Sequence, residues 1–118
     1  MNFELLGIRE KGKNEDERVV IKVLKDTKAH YAMIFHHKLL SDGKISNQPY
    51  HTFWFSSIEV KANDLIVLYT KKGSYSVKNN KDGTTSHFFY WNINEAIFKT
   101  ESDSAVLIGV DTWVNTQK

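Results

Sequence analysis

Apolar and polar residues alternate with a period of two over much of this chain, which predicts short β-strands. The clearest alternation lies in residues 17–24, where Val19, Ile21 and Val23 share one face. A helical spacing that begins at Val20 also exists, but β-branched side chains lose rotamer freedom in helices and fit a pleated sheet better. We therefore predict a strand there. Seven or eight strands are predicted in all, at residues 3–8, 17–24, 30–35, 52–55, 58–60, 65–70, 86–91 and 105–110.

The densest apolar pattern lies at residues 52–70, where aromatic and aliphatic residues flank an Asn63-Asp64 turn signal. This pattern predicts a hairpin buried in a β-sandwich. Residues 71–85 are rich in Lys, Asn and Gly and predict a loop or an extended hairpin tip, and residues 38–50 predict a long polar connection. Because the strands are short and no segment predicts a helix, we expect an all-β fold, an antiparallel β-sandwich.

Composition narrows the class of protein. At 118 residues the chain fits a single domain, residues 1–118. The absence of cysteine excludes disulfides, thiolate metal sites and thiol catalysis, and it favours a reducing compartment. The N-terminus lacks a signal-peptide pattern, and no apolar run approaches the roughly 18–20 residues of a membrane span. We expect a cytoplasmic protein without membrane contact, and the formal charge of +2 falls short of a typical nucleic-acid footprint.

Several aromatic and apolar positions in the second half recur in a known order. An aromatic-x-aromatic element is followed by a turn, an apolar strand, a variable loop, an aromatic strand and a last strand introduced by Asp. In this chain the order is Phe53-Trp54-Phe55, Ile58, Val60, the turn at residues 61–64, the strand at residues 66–70 closed by Gly73, residues 88–92 and residues 103–108. Residues 50–112 thereby resemble the lamin tail domain, which implies an immunoglobulin-like β-sandwich and an interaction role.

The chain departs from the family pattern at three points. Asn63-Asp64 replaces the usual glycine of the turn, and both residue types tolerate left-handed backbone. The Gly-Trp that ends the family's N-terminal strands has no counterpart near Leu39-Leu40. The sequence carries neither a coiled-coil rod nor a basic localisation cluster, so a filament role is not implied.

The candidate chemistry is sparse. His36 and His37 are neighbours on a predicted strand and point to opposite faces, and His30 lies about 20 Å from His36, so these histidines do not form a metal site. We expect surface or rim histidines. The serines lack a G-x-S-x-G elbow, Ser86-His87 face opposite ways, and no glycine-rich phosphate loop is present. These observations favour a protein that is not an enzyme and uses no cofactor and no metal.

Positive charge is distributed unevenly along the chain. Five lysines lie between residues 61 and 81, against Asp64, and Tyr75 lies among them. An exposed aromatic in a basic setting favours single-stranded nucleic acid or another phosphate ligand. The alternative is a solvated loop whose lysines keep strand edges from pairing with other chains. Arginine, which would bind phosphate in a bidentate way, is missing from this stretch.

The two aromatic runs must leave part of each run on an outer face, because neighbouring side chains of a strand alternate. Trp54, Phe88 and Tyr90 are predicted to point outwards and to form an apolar patch, unless the loop at residues 38–50 covers it. We therefore predict an interaction module that binds a protein partner or a second copy of the chain. The alternative is a domain that binds nucleic acid or a small ligand through the basic loop Lys71–Lys81, which we call the lysine loop. The predicted partner-binding residues are Trp54, Phe88, Tyr90, Lys71, Lys72, Tyr75, Lys78 and Lys81.

Overall fold

A computed structural model describes residues 1–45 and 49–116 of the chain. Residues 46–48, part of the predicted polar connection, lie outside the described residues. The prediction of an all-β fold is confirmed, with 46% of residues in strands and 3% in helix. The strands of the described part are β1 Phe3–Arg9, β2 Arg18–Val23, β3 Thr27–Lys28, β4 Ala32–Lys38, β5 His51–Trp54, β6 Glu59–Val60, β7 Leu65–Tyr69, β8 Ser76–Asn79, β9 Thr85–Tyr90 and β10 Asp103–Gly109.

The helical structure among the described residues is a short 3-10 turn, Ala29–Tyr31. No helix of these residues is long and apolar enough to cross a membrane. The predicted strands are all present, although their ends move by up to three residues. Two elements were not predicted as strands. The two-residue β3 lacks any alternation to detect. The polar edge strand β8 pairs antiparallel with β9, so of the two alternatives predicted for residues 71–85 the hairpin tip is the observed one.

The strands form three sheets. A five-stranded sheet has the order β1-β2-β7-β9-β8, a three-stranded sheet has the order β10-β4-β5, and β3 pairs with β6. The prediction of purely antiparallel pairing is wrong at one place, because β7 and β9 run parallel. Parallel neighbours need a long crossover, and the chain between them supplies one that carries β8 to the far side of β9.

The predicted hairpin at residues 52–70 is also corrected. Asn63 has φ of 74°, so the turn signal marks a real left-handed turn. The strands on its two sides do not pair with each other, however, because β6 pairs with β3 whereas β7 lies between β2 and β9. The turn therefore carries the chain from one sheet to another, and its residues specify the reversal but not the pairing.

The core lies between the two larger sheets, which gives the fold a sandwich-like character. Ile21, Ile66 and Leu68 from the five-stranded sheet are fully buried, as is Ile34 from the three-stranded sheet. Phe89 of β9 packs against Phe55, which follows β5, with ring centroids 5.0 Å apart. Full burial of one such side chain contributes about 1.5–3 kcal/mol, so these inward rows hold the two sheets together.

Candidate interaction surfaces

Trp54 ends β5 and points away from the core, as strand alternation predicts. Its side chain is 44% exposed, and its indole N–H donates to the carbonyl of His30 at 2.7 Å. Its ring lies edge-on to Trp113, with centroids 5.1 Å apart, and Trp113 is itself 48% exposed and contacts Tyr31. We call Trp54, Trp113 and Tyr31 the tryptophan cluster. Trp113 and Tyr31 were not predicted as site residues, because Trp113 follows the last strand in a segment without alternation.

The outer face of the three-stranded sheet continues from this cluster and carries no formal charge. Ile34 and Leu107 point into the core, so the residues that alternate with them point outwards. Among the described residues this outward set contains no Asp, Glu, Lys or Arg. Its members are Met33, Phe35, His37, Thr52, Trp54, Ser104, Val106 and Ile108, of which His37 is buried. Interface cores are depleted of charge and enriched in Trp, Tyr and Met, so this composition is typical of a docking surface.

Phe88 and Tyr90 lie on the other side of the molecule. They flank the buried Phe89 on β9 and are half-buried on the outer face of the five-stranded sheet. Because Phe55 and Phe89 meet across the core, outward residues of β5 and β9 point in opposite directions. The structure therefore does not bring Trp54 and Tyr90 into the single patch that the sequence predicts.

Strand register arranges the outer face of the five-stranded sheet in rows. Arg9 lies opposite Arg18, Arg18 lies opposite Tyr69, and Tyr69 lies beside Tyr90. The guanidinium carbon of Arg18 is 5.9 Å from the centroid of the Tyr69 ring. The rings of Tyr69 and Tyr90 stack with centroids 5.5 Å apart and an angle of 12°. We call these four residues the arginine–tyrosine row.

The next two rows are apolar and mixed. Val20, Val67 and Phe88 lie side by side and are flanked by Ser76 on β8. Lys22 lies opposite both Glu4 and Leu65. Alternation with Val19, Ile21 and Val23 places Arg18, Val20 and Lys22 on the other face of β2. The sequence does not predict a site there, because register across four strands is not visible in the chain order.

The predicted lysines divide into two groups. Lys71 folds back over Tyr69, with its Nζ 4.7 Å from the ring centroid, and Lys78 stands exposed on β8 opposite Ser86, so both join the outer face of the five-stranded sheet. Lys72 and Lys81 are exposed in the turns that follow β7 and β8, and the register does not place them on that face. The lysine loop thus contributes two of its predicted cations to this surface.

Tyr75 is 41% exposed, as predicted, and is held in place by its hydroxyl group and by one side of its ring. Its hydroxyl lies 2.8 Å from Nδ1 of His87, whose Nε2 lies 3.0 Å from the Asp64 carboxylate. The Tyr75 ring also packs on Phe89, with centroids 5.0 Å apart. Burial, and then the charge of Asp64, raise the pKa of Tyr75. This Asp–His–Tyr chain anchors the segment before β8 to the turn before β7.

A second hydrogen-bonded chain joins the buried His36 and the half-buried His51 to an aspartate. Nε2 of His36 lies 2.8 Å from the Asp103 carboxylate, and Nδ1 of His36 lies 3.1 Å from Nδ1 of His51. Burial alone would raise the pKa of Asp103, but hydrogen bonds from His36 and Thr100 outweigh it and hold that pKa below its ordinary value. The prediction of surface or rim histidines is wrong for His36, as it is for His37 and His87, which are also buried.

These histidine chains connect residues far apart in sequence, so spacing rules do not detect them. Among the described residues no group of three or more His, Asp or Glu side chains has the arrangement of a metal site. Compared with known proteins, the chain matches no family model, no curated protein and no solved structure. The resemblance to lamin tail domains therefore rests on the residues themselves.

Proposed function

We propose that this protein is a non-catalytic interaction module that binds a protein partner through the tryptophan cluster. The observation that carries the proposal is the edge-on pair of Trp54 and Trp113, each nearly half exposed beside a sheet face without charge. Trp and Tyr dominate binding energy at protein interfaces, because a large rigid ring leaves water at little entropic cost. Exposed apolar patches on soluble proteins commonly mark partner contacts.

In this proposal the fold is an immunoglobulin-like β-sandwich of the lamin tail domain type. Support comes from the positions that carry the resemblance, because they supply the inward faces of the sheets. Phe53 and Phe55 pack with Phe89, and Ala105 and Leu107 complete the same core. A module of this type binds its partner through its outer surfaces, so the proposal includes no cofactor.

A second copy of the chain is the simplest partner. A two-fold interface places the same patch on both subunits, so a charged patch would repel itself. The outer face of the three-stranded sheet avoids this repulsion, because its described outward residues include no formal charge. A heterologous protein partner with a complementary apolar surface is the other form of the same proposal.

The test compares wild type with Trp54→Ala and with Val77→Ala as a matched control. Val77 is 53% exposed but lies on β8 of the other sheet. Sedimentation velocity over a concentration series measures self-association, and the three proteins immobilised as baits measure capture of a heterologous partner. Trp54→Ala should weaken association by about 2 kcal/mol or more, about 30-fold in Kd, whereas Val77→Ala should not change it. Equal behaviour of all three proteins would overturn the proposal.

A further inference from the structure

We infer that the outer face of the five-stranded sheet is a second binding surface and that it binds single-stranded nucleic acid, with phosphate groups held by Arg9 and Arg18. This surface lies on the opposite side of the molecule from the tryptophan cluster. The inference goes beyond the proposed protein interaction and does not depend on it.

The first observation is the pairing of two like charges. Arg9 and Arg18 are directly opposite each other on β1 and β2, an arrangement that destabilises a sheet. Among the residues that the structure describes, neither guanidinium has a carboxylate within ion-pair distance. Arg18 donates to the carbonyl of Asp16 at 2.8 Å, and the nearby Glu10 carboxylate is bound by Lys13 at 3.0 Å. Among the described residues both guanidinium groups thus keep donors that no carboxylate binds, and the planar fork of a guanidinium group suits phosphate.

The second observation is the distribution of charge. The outward residues of this face, together with Lys71 over the Tyr69 ring, supply five cations and one carboxylate within the described chain, namely Arg9, Arg18, Lys22, Lys71, Lys78 and Glu4. The whole chain has a formal charge of +2, so a face with +4 leaves −2 for the rest of the molecule. The net positive charge thus lies on this face, because the remaining 11 basic and 13 acidic side chains sum to −2, and a positive face is the complement of a polyanion.

The third observation distinguishes nucleic acid from an acidic protein segment. Half-buried rings lie between the cations, and Phe88 faces the small Ser76 on β8, which is too short to cover it. The faces of the Tyr69 ring are occupied by Arg18, Lys71 and Tyr90, so a base would stack on Phe88. An acidic peptide would neutralise the cations but would leave this ring without a planar partner. Aromatic rings beside backbone-binding cations are the features by which proteins bind single strands.

The experiment measures fluorescence anisotropy of a labelled twelve-nucleotide oligothymidylate titrated with the full chain at several salt concentrations. With about three phosphates contacted, the logarithm of the association constant should fall with the logarithm of salt with a slope of about −2. The double variant Arg9→Gln/Arg18→Gln should bind at least about tenfold more weakly at 50 mM salt and show a flatter slope. Phe88→Ala should weaken binding without changing the slope, because it removes stacking and no charge.

The matched control is Lys28→Gln/Lys99→Gln, which removes two charges from residues outside this face. Circular dichroism establishes that each variant is folded, and Lys78→Gln on the exposed edge strand replaces the arginine variant if that variant fails to fold. Equal losses in the control and the arginine variant, a flat salt response, or competition by a polyglutamate peptide as strong as that by unlabelled oligothymidylate would each overturn the inference. Trp54→Ala should bind the oligonucleotide normally, which separates this test from that of the proposed function.

Discussion

The Nδ1 atoms of His36 and His51 lie 3.1 Å apart, and the planes of the two rings are within 8° of parallel. One of these nitrogens must accept while the other donates, so a single proton lies between them. The opposite nitrogen of His36 is held by Asp103 at 2.8 Å. Two fully protonated rings would set two N–H groups against each other, so the folded protein requires at least one neutral histidine in this pair.

Stability should therefore fall at mildly acidic pH. Burial, and then the charge of His36, lower the pKa of His51 from its ordinary 6.5, while Glu95 acts weakly in the opposite direction. A lowered pKa in the folded state means that the unfolded chain takes up the proton first. The stability that comes from the neutral His51 is fully present above pH 6.5. It is lost as pH falls below that value, by at most about 1.4 kcal/mol per pH unit.

Urea unfolding at pH 7.5 and pH 5.5 measures this loss. The pH dependence should shrink in His51→Gln, which keeps an acceptor beside His36 but does not titrate. His30→Gln removes a histidine outside the hydrogen-bonded chain and should retain the wild-type dependence. An unchanged pH dependence in His51→Gln would contradict the assignment.

Among the described carboxylates, Glu17 is predicted to be the one whose replacement by an amide destabilises the fold most. It is fully buried, and among the described residues no cation lies within ion-pair distance of it. Its two oxygens accept four hydrogen bonds, from the amides of Gly12, Ile97 and Phe98 and from the Thr70 hydroxyl. Glu17→Gln places an N–H donor among these donors and should reduce the free energy of unfolding by about 2–4 kcal/mol.

The measurement is urea unfolding at neutral pH with Glu15→Gln as the control. Glu15 is exposed, so its loss should change stability by less than about 0.5 kcal/mol. If the two variants lost equal stability, the hydrogen bonds of Glu17 would not have the structural role assigned to them.

The hydrogen bonds of the Asp64–His87–Tyr75 chain should stabilise the fold, and those nearer the surface should contribute less to the free energy of unfolding. Asp64 accepts the amides of Lys61 and Thr85 as well as the bond from His87. Asp64→Asn should cost about 2–3 kcal/mol, because several donors face the replaced oxygen. Tyr75→Phe removes one terminal hydrogen bond and should cost about 1 kcal/mol. Thermal unfolding ranks the two variants, and a larger effect of Tyr75→Phe would contradict this order.

The sequence was informative about strands because alternation is a local property. Val19, Ile21 and Val23 point inwards as predicted, and Trp54 points outwards. The turn at Asn63 was also detectable, because a left-handed residue has a local chemical signature. These features depend on neighbours within a few positions, which the chain order displays directly.

Strand pairing and charge networks could not be predicted from neighbouring residues in this way. The parallel contact of β7 with β9 depends on where β8 lies, and nothing in residues 65–90 specifies this locally. Arg9, Arg18 and Tyr69 form a row although up to 60 positions separate them, since Arg9 and Tyr69 each pair with Arg18. Glu17 was read as the start of a strand, whereas its carboxylate binds amides about 80 positions away.

Gly73 should be intolerant of a side chain. A Cβ at this position would overlap the ring of Tyr90, and the Gly73 amide donates to the side chain of Asn92 at 2.9 Å. Gly73→Ala should therefore destabilise the fold by about 1–3 kcal/mol. In a Tyr90→Leu background the same substitution should cost clearly less, and a double-mutant cycle by urea unfolding measures the difference. Additive effects of the two substitutions would contradict the proposed contact.

Finally, the pairing of Arg9 with Arg18 should reduce stability in the absence of an anion. Like charges directly opposite each other on neighbouring strands repel, and no carboxylate among the described residues forms an ion pair with either. Arg9→Gln should leave the melting temperature unchanged or raise it at low ionic strength, and the gain should disappear at 1 M salt, where the Debye length is about 3 Å. Lys28→Gln, which removes an exposed charge from β3, serves as the control. Differential scanning calorimetry at 10 mM and 1 M salt gives both values, and a marked loss of stability in Arg9→Gln at low salt would mean that this arginine is kept for the fold and not for an anion.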